Sequence, residues 1–312
     1  MVSILMAVYN GETYLQEQLN SIESQTVRDW NLIVRDDGSS DQTKEIIREF
    51  AGRVSQKVVL LDSGSDKHGP KYNFFALLNE TQDSYIMFCD QDDVWKKDKI
   101  EKTVAKMQSI EKNAPGTPVL VHTDLEVVDA KGNTISKSFF DSANLKKNPS
   151  IAQLLLQNHV TGCTVMINKA LLSYVQNLEM PYIEASIMHD YWLALVAKVF
   201  GKIELLSETT IYYRQHGDNS VGAKNSKSIC YLWKRLRDGK EEYKRSMQNS
   251  YKQVSAFVSC YEKVGRENKY WSLLKTYKEL ENKGKVQKWI YFVRYHAWKQ
   301  GLVRKIMQIL WG

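Results

Sequence analysis

At 312 residues the chain is long enough for a full hydrophobic core, sufficient for one large domain with an appendage. Hydrophobic residues at 43% and charged residues at 25% are ordinary for a globular protein and exclude a disordered or fibrous chain. The net charge of +7 gathers after about residue 224, while Cys89, Cys163, Cys230 and Cys260 are scattered, with no CxxC pair and no metal-ligand spacing.

Reduced thiols are expected, as in a cytoplasmic protein. No apolar segment approaches the roughly 20 residues needed to span a bilayer. The chain runs directly into a strand, Val2 to Val8, with no charged leader ahead of it. A turn at Tyr9-Asn10-Gly11-Glu12 leads to an amphipathic helix, Tyr14 to Ile22, in which Leu15, Leu19 and Ile22 fall at helical spacing. A second strand, Trp30 to Arg35, enters Asp36-Asp37-Gly38-Ser39-Ser40-Asp41, and a helix from Thr43 to Phe50 follows. The third strand is Val58 to Leu61, and the next helix spans Asn73 to Leu78. This alternation predicts an α/β fold built of βαβ units, a mostly parallel sheet with helices on both faces.

The stretch Tyr85-Ile86-Met87-Phe88-Cys89-Asp90-Gln91-Asp92-Asp93-Val94-Trp95 is an apolar run that stops in carboxylates. A continuous apolar run reads as a buried parallel strand, and ligands gather at the carboxyl ends of such strands. Asp90 and Asp92, two apart in extended chain, point the same way and repel unless a cation such as Mg²⁺ or Mn²⁺ lies between them. The alternative is an acidic turn in which Asp92 or Asp93 caps the helix beginning near Trp95. Asp36-Asp37 offers the same choice between a base or ribose contact and a turn with an N-cap at Asp41. No G-x-G-x-x-G follows the first strand and there is no P-loop, so a phosphate entering this acidic edge arrives with a metal. A sugar nucleotide chelated to a divalent cation meets that requirement.

Ser3-Ile4-Leu5-Met6-Ala7-Val8-Tyr9-Asn10, Asp36-Asp37-Gly38-Ser39-Ser40-Asp41 and Asp90-Gln91-Asp92-Asp93, in this order, resemble the signatures of family-2 inverting glycosyltransferases with the GT-A fold. The likeness covers about the first 220 residues. It implies a nucleotide and donor site at Ala7, Tyr9, Asn10, Glu12, Asp36, Asp37, Asp90 and Gln91, with Asp92 as metal ligand. Ala7 stands where many members have Pro, and Gly69-Pro70-Lys71-Tyr72-Asn73-Phe74 lacks the Arg-Asn pair many show.

A helix from Lys97 to Lys112 precedes a break at Pro115 to Pro118, then a strand from Val119 to Asp124 with an irregular continuation to Asp129. Ala130 to Asn133 is a turn, Ser136 to Pro149 a loop, and Ile151 to Leu156 a helix. Thr161-Gly162-Cys163 opens a strand with a Gly where a backbone can approach a ligand. His189-Asp190-Tyr191-Trp192 precedes the helix Leu193 to Gly201, where Asp190 reads as a plain N-cap. The resemblance instead makes Asp190 the general base, and it puts Thr161, Gly162, His189 and Trp192 on the acceptor side. The His-Asp form and Asp90-Gln91-Asp92-Asp93-Val94-Trp95 are similar to rhamnosyltransferase-like members, which implies dTDP-L-rhamnose as donor. A strand from Leu205 to Arg214 ends near His216 and a Gly217 to Ser220 turn. By resemblance His216 completes the metal or pyrophosphate site and Arg214 touches the diphosphate.

From about Lys224, Tyr231 to Arg237 and Lys285 to Trp311 mix aromatic, aliphatic and basic residues at helical spacing, with no acidic residue after Glu281. The expected division is a catalytic domain over 1–223 and a helical extension over 224–312. The extension reads as a peripheral contact with an anionic membrane, as a hairpin packed on the catalytic part, or as a nucleic-acid surface. Membrane contact is preferred over nucleic acid because a cytoplasmic transferase of this kind works on a polyprenyl-linked glycan. The competing functions are a UDP-hexose or UDP-HexNAc transferase of the same fold, and a non-catalytic membrane adaptor with a degenerate transferase fold. Oligomeric state is left open.

Overall fold

A computed structural model describes residues 1–64, 66–216 and 239–312. Its strands are β1 (Val2–Val8), β2 (Trp30–Asp36), β3 (Val58–Asp62), β4 (Tyr85–Cys89) and β5 (Val94–Trp95). They continue with β6 (Val119–Asp129), β7 (Thr134–Ser136), β8 (Met166–Asn168) and β9 (Lys202–Gln215). All join one sheet in the order β3-β2-β1-β4-β8-β6-β9-β5, with β7 beside β6.

β3, β2, β1 and β4 are parallel, as the apolar runs predict. Ile4, Leu5 and Met6 of β1 and Ile86 to Cys89 of β4 are fully buried, whereas β3, at the edge, is half exposed. The helix Leu15–Glu23 turns Leu15, Leu19 and Ile22 inward. Register aligns the strand ends: Val8 lies opposite Asp36, Asp36 opposite Asp62, and Met6 opposite Cys89. The acidic loops after β2 and β4 therefore leave the sheet at one edge, with the turn after β1 between them.

Beyond β4 the sheet turns mixed. β8 runs antiparallel to β4 and β6, and β9 runs parallel to β6. β6 continues unbroken to Asp129, and its expected irregularity is a slip in register against β9 around Asp124. The expected loop after Ser136 contains a short helix, Phe139–Ala143. Asp124 holds its start, accepting hydrogen bonds from Ser138 Oγ at 2.6 Å and Phe139 N at 3.1 Å. A cap drawn from a distant strand leaves no local sequence signal. Thr161-Gly162-Cys163 does not open a strand either. Gly162–Thr164 is a 3₁₀ turn, closed by Thr164 N on Thr161 O, and β8 begins only at Met166.

The chain divides into two compact units. Met1–Phe139, Val160–Leu178 and Gly201–Gly222 form the first, which holds every strand among the described residues. Phe140–His159, Glu179–Phe200 and Ala223–Gly312 form the second, which is helical among the described residues. The second unit is built on the helix Lys240–Cys260, which buries Tyr251, Val254, Phe257 and Val258. Its helix Ile151–Leu156 starts at a capping box in which Ser150 and Gln153 each accept the other's backbone N–H. The helices Lys285–Arg294 and Leu302–Trp311 bear out the helical reading of the C-terminal segment. The boundary expected at 223/224, the Gly217 to Ser220 turn and the basic stretch Tyr231 to Arg237 lie outside the described residues.

Gly201 immediately precedes β9, at a point where nothing larger fits. A Cβ at this position meets the Pro118 carbonyl oxygen at 1.8 Å, and Lys202 N donates to that same oxygen at 2.9 Å. Gly201→Ala is expected to lower stability by about 1–3 kcal/mol through overpacking against backbone. Urea denaturation checks this, and an unchanged midpoint contradicts it.

Candidate active site

The turn after β1 and the loop after β2 are fastened together by reciprocal hydrogen bonds. Asn10 N donates to Ser39 Oγ and Ser40 N to Asn10 Oδ1, both at 2.9 Å. Glu12 N donates to Asp41 Oδ2 at 3.0 Å, and Gln42 N to Glu12 Oε2 at 3.1 Å. Asn10 accepts a positive φ of 46° to make this turn, a conformation Asn tolerates better than most residues. Asp36 is fully buried, and its Oδ2 takes the Gly38 and Ser39 N–H groups at 3.0 Å each, with Lys44 Nζ at 3.4 Å. Its other oxygen, Oδ1, is buried with no partner among the described residues. Asp37 accepts from Gly69 N at 2.6 Å and lies 3.1 Å from His68 Nδ1. Both aspartates thus shape the turn while remaining at the carboxyl edge of β2. Tyr9 stands exposed beside them, and Ala7 lies in β1 opposite Arg35.

Gln91 ties the loop after β4 to the same edge. Tyr9 N donates to its Oε1 at 2.8 Å, and its Nε2 donates to Tyr9 O at 3.0 Å. Gly11 leaves room for this amide, since a Cβ there comes within 2.6 Å of Gln91 Oε1. Asp92 Oδ2 lies 2.8 Å from His216 Nε2. Asp93 is fully buried and accepts the Arg214 backbone N–H at 3.1 Å. Burial, then Asp92 and Asp90, push the Asp93 carboxyl well above the usual carboxylate range. The raised Asp93 carboxyl eases the repulsion among the three neighbouring groups.

Arg214 is committed to the protein. Its guanidinium donates to Asp92 O at 3.0 Å and Ala130 O at 2.9 Å, pairs with Glu17, and covers the Tyr14 ring at 4.7 Å. The other side of this arrangement is His216, whose ring centroid lies 4.9 Å from that of Tyr14. Lys99 lies behind the acidic loop, fully buried, with Nζ 3.3 Å from Thr210 Oγ1 and 5.0 Å from the Trp95 ring. Burial lowers its ammonium to about 8. Sequence reasoning missed Tyr14 and Lys99. Each reads locally as one more helix residue, while Thr210 lies 111 positions from Lys99 and Arg214 lies farther still from Tyr14, across most of the chain.

The 3₁₀ turn holding Thr161 and Gly162 presents Cys163 to the acidic group. One donor atom each from Asp90, Asp93 and Cys163 all lie within 4.8 Å of one another. Burial, then Asp93 and Asp90, raise the Cys163 thiol, and a protonated thiol is a poor ligand for a hard cation. Asp92 and His216, paired with each other at 2.8 Å, are not members of that group of three, but carboxyl and imidazole donors of this kind suit Mg²⁺ or Mn²⁺. Asp93 Oδ2 is buried without a nitrogen or oxygen donor among the described residues, and the Cys163 thiol hydrogen-bonds the Asp93 carboxyl.

His189, Asp190 and Trp192 belong to the second unit. The helix there begins at His189, not Leu193, so Asp190 sits in its first turn rather than at the cap. Burial lowers the His189 imidazole to about 3, which keeps it neutral and removes it as a proton carrier at ordinary pH. Trp192, expected on the acceptor side, is a core residue instead. It is fully buried, with its ring 5.4 Å from Phe257 and its Nε1 donating to Tyr261 Oη at 3.2 Å. The unbroken apolar run after it, Leu193 to Ala197, was the available signal, because a helix apolar all round is buried.

Tyr14→Leu removes the ring face that His216 and Arg214 share. Such contacts contribute about 0.5–1 kcal/mol each, about 1–2 kcal/mol for the two, so Mn²⁺ affinity is expected to fall roughly five- to thirtyfold. Tyr14→Phe keeps the ring and is expected to bind as wild type does. Equal affinity in all three proteins, measured by Mn²⁺ titration, contradicts this role of the Tyr14 ring.

The model of glycosyl transferase family 2 matches residues 3–173, more than half of the chain. The dTDP-rhamnosyl transferase RfbG of Shigella flexneri is 30% identical over 237 residues, covering 72% of this chain and 76% of that one. A Bacillus subtilis protein named for teichuronic acid biosynthesis, TuaG, is 27% identical over 239 residues, covering 75% and 86%. Residues 1–349 of Staphylococcus aureus TarS share the fold, with a TM-score of 0.56 over 99% of this chain and 90% of that one at 14% identity. The chain belongs to glycosyl transferase family 2, as a GT-A-fold glycosyltransferase that uses a nucleotide-sugar donor.

Proposed function

We propose that the chain transfers L-rhamnose from dTDP-L-rhamnose, with inversion, onto a polyprenyl-linked or growing cell-surface polysaccharide. The observation that carries the metal-dependent donor site is the Asp92–His216 pair at 2.8 Å, set on the edge where the Asp36-Asp37 turn also opens. The donor assignment is supported by the name of the relative from Shigella flexneri and by the His189-Asp190 and Asp90-Gln91-Asp92-Asp93-Val94-Trp95 forms. Asp36 or Asp37 takes the thymine or ribose, with the exposed Tyr9 ring beside it. Ala7, Asn10 and Glu12 line the same edge. Asp92 and His216, with Asp90, would hold Mg²⁺ or Mn²⁺, and a cation there neutralises the departing diphosphate. Arg214 acts from behind, holding the Asp92 backbone and the Tyr14 ring.

The chemical step is one in-line displacement. Asp190 accepts the proton of the acceptor hydroxyl as that oxygen attacks the anomeric carbon, the bond to the diphosphate breaks, and dTDP leaves with the electron pair. A single carboxylate suffices as general base. Negative charge is favoured in the first turn of a helix, where Asp190 sits. Thr161, Gly162 and His189 are assigned to the acceptor side. The proposed setting is the inner face of the cell membrane. No helix among the described residues is long and apolar enough to cross a membrane.

Asp190→Asn is expected to reduce transfer about 10²–10⁴-fold while donor binding stays intact. A steady-state assay with wild type and variant checks this, and near-normal turnover in the variant contradicts the base. In the same assay dTDP-L-rhamnose is expected to exceed UDP-glucose, UDP-galactose and UDP-GlcNAc. A clear win for any UDP-sugar contradicts the donor assignment.

A further inference from the structure

The helices Lys285–Arg294 and Leu302–Trp311 carry apolar side chains that the second unit does not cover. Val286, Ile290 and Val293, at spacing i, i+4, i+7, are 72%, 59% and 54% exposed. Leu302, Ile309 and Leu310 of the other helix are 70%, 40% and 50% exposed. Each helix nonetheless has a buried face, through Tyr291 and Phe292 in one and Met307 in the other. The exposed stripes are therefore a second apolar face, and not the side by which these helices pack. Lys285 Nζ donates to the Leu310 carbonyl at 2.8 Å, which joins the start of the first helix to the end of the second. Val286, Ile290 and Val293, with half-buried Trp289, line a groove rimmed by Lys285 and Arg294.

We infer that this face docks on the headgroup layer of an anionic membrane. Charge decides between the possible occupants. After Glu281 the chain has no acidic residue, and Lys283, Arg304 and Lys305 add exposed cations to Lys285 and Arg294. A second copy presents the same cations around the same apolar face, and like charges juxtaposed across an interface oppose association. The segment 217–238 of this chain also carries more cations than anions. Anionic headgroups complement the cationic rim, while acyl chains take the apolar stripe. The inference deepens the lipid-linked acceptor of the proposed function and rests on it only for its purpose. Docking itself is independent of which sugar is transferred.

The test is co-sedimentation of the full chain with vesicles of phosphatidylglycerol and phosphatidylethanolamine, and with vesicles of phosphatidylcholine alone. Wild type is expected to partition at least tenfold better onto the anionic vesicles, and less as salt rises from 0.1 to 0.5 M. The combined variant Val286→Ser, Ile290→Ser, Val293→Ser is expected to lose at least tenfold in partition. The variant Arg304→Glu, Lys305→Glu, which leaves the apolar stripe untouched, is expected to lose several-fold. Both are expected to bind dTDP with Mn²⁺ as wild type does, which shows that they fold and separates a failed docking face from a failed donor site. The inference is overturned if wild type ignores anionic vesicles or binds phosphatidylcholine equally well. Undiminished partition of either variant overturns it too. A wild-type dimer that the apolar variant disperses, seen by sedimentation velocity, assigns the face to a second copy instead.

Discussion

Carboxyl groups confined to one edge of a parallel sheet repel one another, and much of the first unit is organised around that repulsion. Asp90, Asp92 and Asp93 fall within four residues, at a spacing where water screens little once the loop is packed. The protein answers in three ways. Asp93 is buried and its carboxyl is raised toward the neutral form, Asp92 is set against His216, and Lys99 places a buried ammonium behind the loop. Glu17 and Arg214 form a further pair beside them. Asp90 and Asp92 stay partly exposed through all of these arrangements. The edge is left suited to a cation and to the diphosphate that such a cation attracts.

Holding the edge together falls to short polar links rather than to the core. Strand register brings the ends of β1, β2 and β4 level, but level strand ends do not order the loops that follow. The Gln91 amide, doubly bonded to the Tyr9 backbone, fixes the loop after β4 to the turn after β1. Asn10, Glu12 and Asp41 then fix that turn to the loop after β2. Each bond contributes about 1 kcal/mol by itself, and together they remove loop freedom that ligand binding would otherwise have to restrict. Residues assigned to the donor in the sequence thus act first on one another. Arg214 makes the same point from β9, since its side chain joins the Asp92 backbone, Ala130 and Glu17 and leaves no guanidinium face toward solvent.

The parts of this architecture legible in the sequence are those with a local cause. Val2–Val8, Trp30–Asp36 and Tyr85–Cys89 are apolar runs long enough to be buried strands, and each ends in a turn or in carboxylates. The pairing of Asp92 with His216 was foreseen only as a shared metal role, by resemblance. What escaped notice depends on contacts far apart in the chain. β8 is three residues long and its antiparallel place follows from tertiary pairing. Trp192 looked like a site residue because it follows His189-Asp190, yet Phe257 and Tyr261, more than 60 positions later, enclose it. Lys99 falls within the expected helix Lys97 to Lys112, and no local feature marks its burial beside Thr210, 111 positions later.

The measurement that bears most directly on the central claim is calorimetric titration of dTDP, with and without Mn²⁺, into wild type and Asp92→Asn. An acidic edge built to take a metal-chelated nucleotide predicts that wild type binds dTDP only when Mn²⁺ is present. It also predicts that Asp92→Asn loses that binding while keeping the wild-type melting temperature. Metal-independent binding, or equal binding by the variant, contradicts the account and returns Asp92 to the role of a turn residue.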